Sequence, residues 1–463
     1  MFSRAPDSAA RQFIYSSAFW LVLGATCLAL ASVKLVAPDF LHTRLLSYPR
    51  LTAVGSISLI YGWLTLAGLA AIFYAVPRLT GARVASEAGS QLAGMIINLT
   101  LAIGVAITLF GGVQDQQFSE LPAYLDAALV FGLLIATANV WRSVSKRVEP
   151  RLYVSIYFFL GGLLWAMLAL AVGNLHSLNG VPDEIAHLFS INAMVLLWVS
   201  SIGAGALYYV VPRASGAPLH SHRLAVLGFW SMAIAAPLTG NIRQVYGPSP
   251  EWLVTISIAS SILLVMPVLA LLVNLFGTLR VAWDRVADHP SIRFFVAGSA
   301  FWAAGVLLTI LSGFRGTAKT FGATDWETAP VWIIVLGGAT LWALGFITFA
   351  LPRLMGRRWI HRSRVSSGLW LTAVGVAAAA IGWLGAGATS AIAWIAGSSD
   401  VPSVVGAGYE AVLENAGGFR ALTVVGLVLF AAGQWIFALH MIRTTAEGEP
   451  HPLEVVTPVE ALL

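Results

Sequence analysis

The feature that most constrains this sequence is a series of long apolar runs. A helix needs about 20 mainly apolar residues to cross a bilayer, and only 10% of the residues are charged, against about a quarter in soluble domains. We therefore predict an all-α integral membrane protein, because a helix satisfies its own backbone hydrogen bonds in lipid. The twelve predicted spans are 13–37, 53–76, 90–112, 124–141, 151–174, 187–211, 222–240, 251–277, 292–314, 329–352, 366–387 and 419–443.

The spans divide the chain into three parts. Residues 1–12 form an N-terminal segment and residues 13–443 form the membrane domain. Residues 444–463 form a polar tail with three prolines and no helical period, which predicts loose order. The single cysteine, Cys27, lies within the first run, so a disulfide or a thiolate metal site is excluded.

The distribution of basic residues predicts the orientation of the spans, because Lys and Arg accumulate in short cytoplasmic loops. Nineteen of the 26 Lys and Arg residues fall on the side that carries both termini. We therefore predict that both termini are cytoplasmic. The net charge of +5 follows from this bias and does not indicate nucleic-acid binding, whereas membrane lipid is an expected partner.

One short phrase closes three of the spans: AVPRLTG at 75–81, VVPRASG at 210–216 and ALPRLMG at 350–356. Each phrase alone has a local explanation, in which Pro stops or kinks the helix, Arg marks the cytoplasmic side and Gly makes the turn. That explanation does not account for the interval. The phrase recurs every four spans, which predicts three structural repeats of four helices.

Longer stretches resemble a known family. LYYVVPRASGAPLHSHRLAVLGFW (207–230), IRFFVAGSAFW (292–302) and FGATDWETAPVW (321–332), which leads to FALPRL (349–354), resemble the catalytic subunit of cbb3-type cytochrome c oxidases. These enzymes belong to the heme-copper oxidase superfamily, in which nitric oxide reductase is a sibling. The resemblance covers nearly the whole chain. It implies twelve helices in three arcs, two hemes, one copper ion and a membrane-anchored c-type cytochrome partner on the outer face.

In that family six histidines hold the metals, and a tyrosine is cross-linked to a copper ligand. In this sequence other residue types stand at all seven positions. The resemblance puts the heme-ligand positions at Gly55, Pro330 and Trp332, the copper-ligand positions at Asn192, Ile242 and Arg243, and the tyrosine position at Trp302. Leu308 stands near the family's glutamate on the ninth span. We therefore predict no cofactor, with heme b and copper expected if the family assignment holds.

Other residues could replace the missing ligands. None of the nine histidines falls in the middle of a predicted span. His176 and His187, at the outer ends of spans, could ligate a heme, but we interpret them as interfacial residues wetted at their edges. Met167 and Met194 could also bind heme, yet a methionine in a packed helix usually belongs to the core. Every Asp and Glu falls in a loop, in the tail or at a helix end, so no acidic proton path is predicted.

Three functions remain open. The first is a catalytically degenerate subunit that serves as a scaffold or docking subunit of a respiratory electron-transfer complex in the bacterial cytoplasmic membrane. The second is an active cytochrome c oxidase or nitric oxide reductase with unusual ligands, and the third is a protein that binds a quinone, lipid or small solute. If the first is correct, we expect Trp302 and Trp332 to fill the vacated volume, because an empty apolar cavity is costly.

Overall fold

The computed structural model of the protein describes residues 3–112, 118, 120–175, 179–398 and 405–452. Within these ranges the regular structure is helical, and twelve helices are long and apolar enough to cross a membrane. The predicted all-α fold is therefore confirmed. The membrane helices are α1 (Ser8–Val33), α2 (Tyr48–Thr80), α3 (Glu87–Phe110), α4 (Ala123–Ser145), α5 (Val154–Gly173), α6 (Val181–Ser215), α7 (His222–Gln244), α8 (Glu251–Leu279), α9 (Pro290–Gly313), α10 (Asp325–Met355), α11 (Arg362–Ser398) and α12 (Val405–Glu447).

The C-terminal end differs from the sequence-based boundary. Helix α12 continues to Glu447, four residues past the predicted end of the last span at 443. Residues 448–452, here called the C-terminal arm, then lie against the α10–α11 connection. The backbone N–H of Arg358 donates to the carbonyl of Glu449, and that of His451 donates to the carbonyl of Gly356, both at 2.8 Å. Residues 453–463 of the predicted tail lie outside the described residues.

Helices α2, α6 and α10 form the core of the bundle. In the most apolar 18-residue stretch of each of these helices, 94–100% of the residues are buried, against 39–61% in the other nine spans. Each is also longer than its predicted span, by four to six residues on the side opposite the termini and by three or four residues at the other end. The nine outer helices surround these three and present apolar side chains such as Phe19, Leu164 and Trp370 outward, as expected of helices that face lipid.

Each central helix contains one π-helical segment at the same point of its repeat, at Ser58–Leu64, Ala193–Val199 and Ile333–Ala339. A hydroxyl residue follows each segment at once. Thr65, Ser200 and Thr340 donate to the carbonyl five residues earlier, at 2.8, 2.6 and 2.9 Å. The wider π turn leaves backbone carbonyls without their usual partners, and these hydroxyls supply a donor.

The repeated phrase ends each central helix in the same way, but the proline in it does not stop the helix. The helices run through Pro77, Pro212 and Pro352 and end four residues later at glycines with φ of 64–67°, a left-handed conformation that glycine adopts without strain. A proline leaves the carbonyl four residues earlier without its N–H donor. Side chains replace that donor in two repeats: the Tyr153 hydroxyl bonds the carbonyl of Tyr208 at 2.9 Å, and the Trp359 indole bonds that of Thr348 at 3.0 Å.

The arginine of each phrase folds back onto an aromatic ring one turn earlier. The guanidinium carbon lies 3.8, 4.5 and 3.7 Å from the ring centroid in the three repeats, and the pairs are Arg78 with Tyr74, Arg213 with Tyr209, and Arg353 with Phe349. The three rings meet edge to face, with centroids 6.0–6.5 Å apart. The three repeats therefore converge at this end of the bundle, which also carries both termini and is here called the terminal face.

Candidate functional site

The centre of the bundle is held together by indole groups. The Trp63 indole of α2 donates to the Thr340 hydroxyl of α10 at 3.2 Å, and the Trp302 indole of α9 donates to the Ser200 hydroxyl of α6 at 2.9 Å. Both acceptors are the hydroxyl groups that follow a π-helical segment. These bonds link neighbouring repeats where the family resemblance puts the metal centre.

The three predicted copper-ligand positions come together in space, although α6 and α7 are separate in sequence. Asn192, Ile242 and Arg243 line one cavity of about 40 Å³ together with Pro330. That volume holds only a few water molecules, and ligand pockets normally measure about 300–1,000 Å³. The structure therefore assembles these four positions but leaves no room for a large group between them.

The polar groups around this cavity form an ion cluster. The Arg243 guanidinium interacts electrostatically with Glu327, which also lines the cavity, and with Glu184 of α6. The Asn192 amide donates to the carbonyl of Leu188 at 3.0 Å. Acidic side chains inside the protein therefore lie close enough to Arg243 to offset part of the cost of burying its charge.

This donor set does not fit copper. A guanidinium has no lone pair to offer, an isoleucine has no donor atom, and the described bond of the Asn192 amide is to its own helix. Copper in proteins is held mainly by imidazole, thiolate or thioether groups. Among the residues that the structure describes, no three His, Cys, Asp or Glu side chains come together as a candidate metal site.

The predicted heme-ligand positions on α2 and α10 are also closed by packing. A Cβ atom at Gly55 would lie 2.6 Å from a Leu28 methyl group of α1, so that side of α2 has no free space. Trp332 is 8% exposed, and its ring packs against that of Phe118 with 5.7 Å between centroids. Trp302 is 2% exposed and packs against Gly338, where an added Cβ would lie 2.9 Å from the Trp302 Cβ.

The histidines considered as substitute ligands occupy different environments. His187 is 7% exposed and its Nδ1 atom is buried without a hydrogen-bond partner, so the imidazole is more deeply buried than a residue at a helix end normally is. His176 lies outside the described residues. Met194 is fully buried in the core, with its sulfur 3.6 Å from the Tyr61 hydroxyl, and Met167 packs partly buried against the same core.

Two carboxyl groups missed by the sequence analysis are buried at the opposite end of the bundle from the terminal face. Glu120 is 7% exposed and Asp126, in the first turn of α4, is 2% exposed. An Asp126 carboxyl oxygen accepts a hydrogen bond of 2.9 Å from the Asn174 amide. The Tyr61 hydroxyl, which donates to the carbonyl of Phe118, interacts electrostatically with both acids. In the sequence both acids fall near the start of a span, a position that is normally solvated, so nothing in the sequence indicated their burial.

Burial dominates the protonation of Glu120. Removal from water raises the pKa of this carboxyl to about 8, and the nearby Asp126 contributes in the same direction. The backbone N–H groups of Glu120 and Phe118 and the Ser56 hydroxyl favour the charged form, but they do not offset the loss of hydration. At neutral pH Glu120 is therefore mainly a neutral acid that can hold a proton.

Comparison with known proteins agrees with this architecture. A cytochrome c oxidase subunit 1 from Rhodobacter capsulatus is 24% identical over 80% of this chain and 73% of its own length. The cbb3-type cytochrome c oxidase subunit CcoN1 from Stutzerimonas stutzeri is 23% identical over 95% of both chains. A cryo-EM structure of a heme-copper terminal oxidase dimer superimposes with a TM-score of 0.77 at 14% identity, and the match covers 98% of this chain and 87% of that one.

The family itself is shown by a match along most of the sequence. The family model described as "Cytochrome C and Quinol oxidase polypeptide I" matches residues 8–408. Family members carry heme and copper, whereas the residues at the positions described above do not suit either metal centre. By fold and by sequence, this integral membrane protein belongs to the cytochrome c and quinol oxidase polypeptide I family.

Proposed function

We propose that the protein is a catalytically degenerate subunit that acts as a membrane scaffold or docking subunit in a respiratory electron-transfer complex. It lies in the bacterial cytoplasmic membrane with both termini in the cytoplasm. The orientation rests on the excess of Lys and Arg at the terminal face. The bacterial source of the similar proteins supports this choice of membrane.

The observation that carries this proposal is the cavity at the family's copper positions. It measures about 40 Å³ and is lined by Asn192, Ile242, Arg243 and Pro330. None of these side chains is a ligand that copper or heme iron prefers. A quinone would not fit the same space either, which argues against the binding of a large solute there.

A c-type cytochrome anchored in the membrane is the proposed partner. The resemblance implies such a partner on the outer face, which corresponds to the face opposite the terminal face. The α1–α2 connection on that face exposes several large apolar side chains outside the membrane helices, a pattern typical of interaction surfaces. They are Leu35, Val36, Phe40, Leu41 and Leu45.

The names of the similar proteins favour a second function, that of an active cytochrome c oxidase subunit. It would require ligands other than the family histidines, and His187 is the buried imidazole closest in sequence to Asn192. The two functions predict different cofactor contents, so a single measurement separates them.

The test is a heme and copper assay on the purified full-length protein, by dithionite-reduced minus oxidised spectrum and elemental analysis. An oxidase of the family, purified in the same way, serves as the positive control. We expect neither b heme nor copper in the chain itself. Two b hemes with copper would refute the proposal, and a single b heme would replace the scaffold with an electron-transfer role through new axial ligands.

Docking is tested separately by co-purification of c-type heme with the tagged chain from its native membrane. The double variant Phe40→Ser, Leu45→Ser should lose most of this heme. A matched control is Val281→Ser, which changes an exposed apolar residue on the terminal face. Equal amounts of c-type heme with both variants would place the partner elsewhere on the molecule.

A further inference from the structure

We propose that a cavity at the terminal face binds the phosphate group of a phosphate-bearing ligand. The cavity measures about 630 Å³ and lies between the start of α9, the end of α10, the start of α11 and the C-terminal arm. Its volume falls within the range of about 300–1,000 Å³ that is normal for small-molecule sites. It lies at the opposite end of the bundle from the site discussed above and is independent of the proposed function.

Positive groups from three elements converge on this cavity. Arg353 comes from the end of α10, Arg358 from the connection that follows, and Arg362 from the first residue of α11. Arg353 is held in place by its ring contact with Phe349, which also lines the cavity. Arginine is well suited to phosphate because its planar guanidinium can make two parallel hydrogen bonds to the oxygens.

Two helix N-termini add to the positive potential. Helices α9 and α11 both begin at the cavity, and neither carries an acidic residue in its first turn. The first N–H groups of a helix have no intrahelical acceptor and attract anions, so acidic residues are normally favoured there. Here an arginine, Arg362, occupies that position in α11, an arrangement that a bound anion would relieve.

A buried hydroxyl without a partner points to a ligand more directly. Thr348 of α10 is 6% exposed and lines the cavity, and its Oγ1 atom has no hydrogen-bond partner. A buried hydroxyl left unbonded is costly. This Oγ1 atom is shielded from solvent, so a phosphate oxygen would accept the missing bond once a rotation of the side chain turned the hydroxyl toward the cavity. The positive-inside rule explains why arginines are frequent at this face, but it explains neither the cavity nor this hydroxyl.

The pKa of a neighbouring histidine supports a surplus of positive potential. His289, at the start of α9, has a pKa below its ordinary value because it is partly buried. Arg285, Arg353 and Arg362 lower the pKa further, and Asp288 acts against them. An anion bound in the cavity would reverse this effect and favour the protonated imidazole.

Three carboxylates also line the cavity and oppose the binding of an anion. Asp288 precedes α9, Glu447 ends α12, and Glu449 lies on the C-terminal arm. All three are exposed, so solvent weakens their repulsion of a bound anion. Glu449 is held close to the arginines because its backbone carbonyl accepts the N–H of Arg358. Removal of its charge should therefore tighten the binding of phosphate.

The test is isothermal titration calorimetry on the full-length protein in a non-ionic detergent. The probes are inorganic phosphate and dioctanoyl phosphatidylglycerol, with dioctanoylglycerol as a lipid that lacks phosphate. We expect Arg362→Gln and Thr348→Val to weaken binding about tenfold, the loss expected for one charge-assisted or buried hydrogen bond. Glu449→Gln should strengthen it. Arg364→Gln, which removes an arginine from the same helix start but not from the cavity lining, is the matched control.

The two probes separate the possible sources of the phosphate. Binding of both indicates a site for soluble phosphorylated compounds, and binding of phosphatidylglycerol alone indicates a lipid headgroup. The proposal is overturned if neither probe binds saturably, if dioctanoylglycerol binds as well as phosphatidylglycerol, or if Arg364→Gln weakens binding as much as Arg362→Gln. Phenylglyoxal labelling of the unaltered protein gives a second measurement: phosphate should protect Arg358 and Arg362 but not Arg364.

Discussion

The buried Glu120 should make the stability of the protein fall as the pH rises. Its pKa is raised from an ordinary value of 4.5 to about 8 in the folded protein, mainly by burial. Below pH 4.5 the carboxyl is protonated whether the chain is folded or unfolded. Between pH 4.5 and 8 the folded state keeps the proton and the unfolded state releases it, so the folded state loses stability progressively. Above pH 8 the loss is complete.

The magnitude follows from the size of the shift. One pKa unit corresponds to about 1.4 kcal/mol, so the full loss is about 5 kcal/mol. Glu120→Gln keeps the shape and part of the hydrogen-bonding capacity but cannot be charged. The stability of this variant relative to the unaltered protein should therefore increase from pH 4.5 to pH 8 and then stay constant.

The assay is thermal unfolding in a mild detergent at pH 5, 6, 7, 8 and 9, followed by tryptophan fluorescence. With an unfolding entropy of about 2.1 cal/mol/K per residue, 5 kcal/mol corresponds to roughly 5 °C for a chain of this length. Glu414→Gln, which changes an exposed acid on the same face, is the matched control and should show no such trend. A melting-temperature difference that is constant across the pH range, or that shrinks toward pH 8, would refute the assignment of Glu120 as a buried neutral acid.

Two further substitutions test the terminal face and the centre. Asp7→Asn should lower the free energy of unfolding by about 3–5 kcal/mol, because both Asp7 oxygens bond the Arg78 guanidinium at 2.9 Å and the side chains of Asp7 and Arg78 are only 11% and 4% exposed. Denaturant titration measures this loss. The control Asp39→Asn, at a fully exposed side chain, should leave the stability unchanged. Trp332→Ala should lower the free energy of unfolding by about 3–5 kcal/mol if the indole fills the vacated heme volume. Trp370→Ala, at a side chain that is 64% exposed, should lower it far less. Equal losses of thermal stability in the two variants would contradict the filling of that volume.

Much of the fold could be predicted from the sequence because the signals are local. A run of 20 apolar residues has few alternatives to a membrane helix, so the twelve spans were predicted correctly. The interval of the repeated phrase also predicted the three repeats of four helices correctly. The part of the prediction in which proline stops the helix was wrong, for an equally physical reason. The carbonyl of Tyr208, which Pro212 leaves without its usual donor, bonds the hydroxyl of Tyr153, and that residue lies far away in sequence, just before α5.

The candidate site divides in the same way. The residue types at Gly55, Asn192, Ile242, Arg243, Pro330 and Trp332 are properties of the sequence, and they are enough to predict that the family's ligand chemistry is missing. The sequence does not predict that the space around these positions is closed, because the closure depends on side chains from distant segments. Leu28 blocks Gly55 from α1, and Phe118 packs on Trp332 from the α3–α4 connection.

The sequence by itself therefore determined the membrane helices, their threefold repetition and the absence of histidine at the family's ligand positions. Only the tertiary structure decided that the centre is packed, that Glu120 and Asp126 are buried, and that Thr348 and three arginines face one cavity. The physical reason is that hydrophobicity along a helix is a local property, whereas the hydration of a polar group depends on which distant segments cover it.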